Sequence, residues 1–101
     1  MEELNNDLEQ YKILLETYSK LNTEDIYVAY DLAKNSLLLA NRWNEIMLNS
    51  AKYCTLVDKS KTTFEKWAYH KYRILMVMHE FCRVLWRQGI EEYKNNFNNE
   101  L

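Results

Sequence analysis

The stretch from Phe64 to Trp86, FEKWAYHKYRILMVMHEFCRVLW, limits what this chain can fold into more than any other. Fifteen of its 23 residues are aliphatic, aromatic or Cys, and five apolar residues run together from Ile74 to Met78. As a strand the run is too long and lacks period-two alternation. As a helix it places apolar residues at 64, 68, 75, 78, 82 and 85, with a second row at 67, 74, 77, 81 and 84. A helix that is apolar on several faces must be covered on all of them. Arg73 and His79-Glu80 bracket the apolar block, whereas a membrane span needs about 20 apolar residues in succession. The run therefore reads as the core element of a soluble fold, with the remaining chain as its cover.

A chain of 101 residues suits one domain, able to bury about two-thirds of its surface around a single core. One Gly (Gly89) and no Pro leave few residues for tight turns, hairpins or phosphate loops, which points to an all-α fold. The opening MEELNNDLEQ is acidic and polar, unlike a secretory leader or a basic presequence, so a cytoplasmic location is expected. Cys54 and Cys82 lack CxxC spacing and read as reduced core thiols. Eleven Asn and nine Lys against four Arg suggest an AT-rich genome, bacterial or phage. The net charge of −2 conceals an asymmetry: residues 1–31 carry eight acids against Lys12 and Lys20, while residues 59–87 carry seven bases against Glu65 and Glu80.

Spacing predicts four helices in a single domain, 1–101. The first, 3–21, has one apolar stripe of Leu4, Leu8, Tyr11, Leu15 and Tyr18. The second, 23–57, follows an N-cap arrangement at Asn22 and Asp25 and carries two stripes, so it needs two neighbours. Thr62 and Glu65 read as a capping box opening the third, 62–88, and Gly89 after Arg87 reads as its end. A short tail helix, 90–97, continues a stripe through Ile90, Tyr93 and Phe97. A turn near residue 60 makes the second and third helices an antiparallel hairpin, with Ala51 set near Tyr69. The first helix is too short to cover both arms. The expected architecture is thus an antiparallel helical bundle built on a long hairpin, with oligomerisation covering the rest. Ile74, Met76, Met78, Trp86, Ile90 and Tyr93 are the candidate protein interface.

Several chemistries find little footing. Arg73 and His79 form an R-x5-H string that resembles the HEPN-type ribonuclease signature, but Ile74 follows the Arg and six residues on a straight helix separate the two side chains by about 120°. His79 and Cys82 have ligand spacing, yet His70 falls on the opposite face, so no metal site is expected. Neither a Gly-rich anion loop nor a paired-carboxylate motif in an apolar setting occurs, and no cofactor or enzymatic activity is expected. The segment Lys59, Lys61, Lys66, Trp67, Tyr69, Lys71, Tyr72 and Arg73 interleaves bases with rings, the pattern with which proteins grip single-stranded nucleic acid. The competing reading turns the rings inward and leaves the lysines as a solvated face.

An acidic opening (Met1-Glu2-Glu3-Leu4), Tyr30-Asp31-x-Ala33, Asn41-Arg42-Trp43-Asn44, Glu65-Lys66-Trp67-Ala68-Tyr69, and Phe81-Cys82 before Arg87-x-Gly89 together resemble the UvsY family of phage recombination mediators. The resemblance runs over about residues 30–89 and implies a small helical oligomer that loads a recombinase onto single-stranded DNA. It implies Lys59, Lys61, Lys66, Lys71 and Arg73 as phosphate contacts and oligomerisation through the central apolar helix. The chain is shorter and less basic than that family. The residues themselves favour a non-catalytic protein-binding module that self-associates or binds a larger partner, with single-stranded DNA binding as the alternative.

Overall fold

The computed structural model describes the backbone of residues 2–100 and the side chains of 4–98. Met1 and Leu101, the ends of the expected domain, lie outside the described residues. The described chain is all-α: α1 (Glu2–Ser19), α2 (Ile26–Leu48), a single-turn α3 (Ser50–Tyr53) running into a 3-10 turn (Cys54–Val57), and α4 (Lys61–Glu100). Its extents are 62 × 19 × 16 Å. A 40-residue helix rising 1.5 Å per residue accounts for that length, so α4 is the axis of the molecule.

Capping explains the start of α2. Asp25 stands in extended conformation and its carboxylate accepts from the Tyr27 and Val28 amides, each at 3.2 Å. The helix begins at Ile26, three residues later than spacing suggested, because Asn22 spends its side chain on the Glu24 amide and closes a turn instead. The helix read as continuous to 57 also stops early. Asn49 leaves helical backbone (φ −110°, ψ 35°), and both its amide N–H and its side-chain Nδ2 turn back onto Glu45 O. No Gly or Pro marks this break; a competing side-chain hydrogen bond makes it.

α2 and α4 run antiparallel. Tyr30 meets Trp86, the Ala33 carbonyl meets His79, Trp43 meets Trp67 and Tyr53 meets Phe64. This register differs by several residues from the one that set Ala51 near Tyr69; both of those residues are exposed. The irregular 49–60 segment draws the turn toward α2. On α2 the buried line includes Ala29, Ala33, Ser36 and Ala40, small residues at the level of the larger buried α4 side chains Leu75 and Met78. α1 packs back antiparallel to α2: Asp7 pairs with Arg42, Tyr11 meets the edge of Trp43, and Tyr18 meets Phe81.

Gly89 corrects the expected helix end. α4 passes through it unbroken, so the separate tail helix at 90–97 is the last part of α4. A Cβ built at Gly89 would lie 2.0 Å from Ile26 Cγ2. The missing side chain is therefore a matter of contact: it lets the first residue of α2 sit against α4. No helix among the described residues is long and apolar enough to cross a membrane.

Candidate functional site

The turn end carries most of the basic–aromatic segment. Asp58 adopts left-handed backbone (φ 52°, ψ 49°), which reverses the chain and lets the Lys59 amide bond to Cys54 O at 3.0 Å. Ser60, rather than Thr62, caps α4: its Oγ accepts from the Thr63 amide at 3.2 Å. One turn later Phe64 is fully buried, and Trp67 follows on the flank that meets α2.

Trp67 packs its ring 5.5 Å from Trp43 and 5.4 Å from Phe64. Lys71 then falls on the buried stripe of α4, between Ala68 and Leu75. Its Nζ sits 4.2 Å from the Trp67 centroid, 5.0 Å from Tyr11 and 5.7 Å from Trp43. Rings on three sides supply a negative quadrupole face to the cation. Burial, and secondarily the charge of Lys59, hold the ammonium below the ordinary lysine range. Lys59 approaches the same indole at 5.7 Å. Trp43 is fully buried with Nε1 lacking a hydrogen-bond partner, and Trp67 packs nearly perpendicular to it. Trp67 and Lys71 thus serve the union of three helices.

Tyr69, Tyr72 and Arg73 make a different group. Tyr69 is 44% exposed, its ring 6.3 Å from the half-buried Tyr72, and Arg73 donates to Tyr69 Oη at 3.1 Å while lying over its ring. Lys66 and Lys61 are exposed nearby, Lys61 only loosely paired with Glu65 at 3.9 Å. The eight-residue segment is therefore split: Trp67 and Lys71 face the core, Lys59 leans on Trp67, Tyr72 is half-buried against the core, and Lys61, Lys66, Tyr69 and Arg73 stay at the surface.

The candidate interface residues divide as well. Met78 is 1% exposed and belongs to the core, so it cannot contribute to an exposed face. Ile74 and Met76 are half-buried against the core. Trp86 and Ile90 are half-buried, and Tyr93 is 68% exposed. Beyond Ile90 the described residues of α4 are uncovered: 91–98 are all exposed, including Phe97. Leu48, Tyr30, Val77, Phe81 and Val84 are exposed as well and are not among the interface candidates read from sequence; the second α4 row at 77, 81 and 84 is the available signal.

His79 does not converge with Arg73. Its Nδ1–H donates to Ala33 O at 2.7 Å, while Arg73 turns to Tyr69. Cys54 and Cys82 are buried free thiols, and burial pushes the Cys82 thiol up. Among the described residues no group of three or more His, Cys, Asp or Glu could hold a metal ion. No protein-family model, curated protein or solved structure matches this chain.

Proposed function

We propose that this chain is a non-catalytic helical module of the cytoplasm that works by holding protein, a second copy of itself or a larger partner, against the flank of α4 that its own helices leave open. The observation that carries the reading is the uncovered end of α4. Its apolar stripe continues past the start of α2 with Tyr93 and Phe97, 68% and 51% exposed, on a helix that stays regular to Glu100. Large exposed apolar side chains aligned on one rigid helix mark interaction surfaces, and aromatics, Met and Arg are the residues that interfaces favour. On this reading α1, α2 and α4 are an incomplete bundle and association completes it.

A second reading, single-stranded DNA binding by a phage-encoded recombination accessory protein of the UvsY kind, draws support from the surface group of Tyr69, Tyr72, Arg73 and Lys66. Rings beside bases can stack unpaired nucleobases and track phosphates. The inward placement of Trp67 and Lys71 removes two of the eight expected contacts from that role.

Tryptophan fluorescence titrated with oligo-dT at low and moderate salt, with mass in solution measured alongside, separates the two. A mass above that of the 12.3 kDa monomer without quenching supports the protein-binding reading. Quenching that weakens steeply with salt, through counterion release, supports the second. A monomer that neither quenches nor retains a protein partner overturns both.

A further inference from the structure

From Tyr69 to Phe97, one line of α4 advances in alternating steps of three and four residues. Tyr69, Tyr72 and Met76 lie on one side of its middle and Trp86, Ile90 and Tyr93 on the other, with His79 and Arg83 between them. An alternation of three and four is the 3.5-residue repeat that keeps a seam facing a neighbouring helix over many turns. Within the molecule this line lies beside the buried stripe of α4, and Tyr30 of α2 stands next to it, 5.3 Å from Trp86. α1 lies elsewhere, with Tyr18 against Phe81. The line is therefore half covered by its own chain and open for the rest.

Its composition is symmetric about Phe81. An antiparallel copy would set Tyr69 against Tyr93, Tyr72 against Ile90, Met76 against Trp86 and His79 against Arg83. Because His79 gives its Nδ1 proton to Ala33 O, its Nε2 can accept, and Arg83, which spends Nε and Nη2 on Glu80 of its own chain, keeps Nη1 to donate. Charge favours the same orientation. Antiparallel pairing brings Glu91 and Glu92, with Lys94 behind them, beside the Lys66-to-Arg73 segment of the other copy, whereas parallel pairing stacks Lys66, Lys71 and Arg73 on their own kind. At the turn end, Met47, Leu48, Lys61, Glu65, Lys66 and Tyr69 line a cleft of about 420 Å3. An antiparallel copy carries its Phe97 to the level of Glu65, at that cleft.

We infer that a second copy of this chain lies antiparallel along the Tyr69–Phe97 line, related by a two-fold axis near Phe81, with the tail of each α4 seated at the turn-end cleft of the other. The inference rests on the protein-binding reading and names the partner and the orientation. Tyr69, Tyr93 and Phe97, 44%, 68% and 51% exposed, carry most of the area that the seam can bury, and the largely covered Tyr72, Met76, Trp86 and Ile90 add less; at roughly 200 Å2 for a whole aromatic side chain, two copies bury on the order of 1,000 Å2, the size of a small, reversible interface.

Tyr69→Cys and Tyr93→Cys, both at exposed positions, are made in separate chains and mixed under mild oxidation. The two sites lie about 36 Å apart along one helix, so no bond can form within a chain. A mixed Tyr69→Cys/Tyr93→Cys disulfide, at least tenfold over either self-pair and absent from the unsubstituted protein with its buried thiols, is the expected result. Predominant self-pairs of one variant overturn the inference in favour of a parallel arrangement. No cross-link with a mass above that of the monomer overturns the inference but leaves the protein-binding reading standing. No cross-link and a monomeric mass overturns the inference and removes self-association from that reading.

Discussion

Lys71 holds its ammonium 4.2 Å from the centroid of the Trp67 indole, on the one stripe of α4 whose other members, Phe64, Ala68, Leu75, Met78 and Cys82, are buried and uncharged. Tyr11 of α1 and Trp43 of α2 close around the same cation. The three helices therefore meet on a charge that the rings, and not a carboxylate, stabilise.

Replacing Lys71 tests this junction. Lys71→Ala loses both the stem packing and the cation–π attraction and should lower stability by about 1–2 kcal/mol, read from urea unfolding followed by tryptophan fluorescence. Lys71→Met keeps the stem and should lose less.

The same residue gives a pH dependence with a definite sign. Burial, then Lys59, lower the folded-state pKa of Lys71 below its ordinary 10.5. Below that value and above the folded one, the unfolded chain binds more protons than the folded chain, so this group makes stability rise with pH. Burial raises Tyr11 above 10.0, which acts in the opposite sense from about pH 10 upward. As pH rises toward 10 the stability of the natural chain relative to Lys71→Met should therefore increase; a constant difference would show that Lys71 titrates at its ordinary value.

Gly89 sits in mid-helix, where Ala ordinarily gains about 1 kcal/mol. Here the added Cβ meets Ile26 Cγ2 at 2.0 Å and Ile26 Cβ at 3.3 Å, and a β-branched side chain at a helix start has little room to turn away. Gly89→Ala should therefore destabilise by about 1–2 kcal/mol. In the Ile26→Ala background the same change should become neutral or stabilising, a coupling that a double-mutant cycle measures directly.

How much of this was legible in the sequence depends on the residue. The 4-3 spacing of Phe64, Ala68, Leu75, Met78 and Cys82 marked the buried face of α4, and Asp25 marked the start of α2 within three residues. Asn49 gave no such sign, because its break depends on a side-chain bond to Glu45 O that competes with a helix-compatible pattern. Gly89 resembles a helix end in sequence because a glycine that ends a helix and one that admits a neighbour look alike in a single chain. Lys71 was grouped with the surface bases although spacing already put it on the core stripe; only the tertiary meeting of Tyr11, Trp43 and Trp67 makes a cation tolerable there.

Asp7 and Arg42 tie α1 to α2 through two hydrogen bonds of 3.2 Å each, with Asp7 8% exposed. Asp7→Ala leaves the guanidinium with Glu45, at 3.8 Å, and should cost about 1 kcal/mol. Amide exchange should quicken within α1 and leave α2 and α4 largely unaffected, since those two pack chiefly on each other.

Hydrogen exchange at the amides of residues 90–98 tests the open flank of α4 most directly, in the natural chain and in Tyr69→Asp, each at dilute and high concentration. In one molecule Tyr69 is about 32–44 Å along the helix from residues 90–98, so its contacts reach those amides only through a second copy. The antiparallel seam predicts protection of the tail that grows at least tenfold with concentration and is lost in Tyr69→Asp. Tail amides that exchange equally fast at every concentration, with or without the substitution, would contradict it.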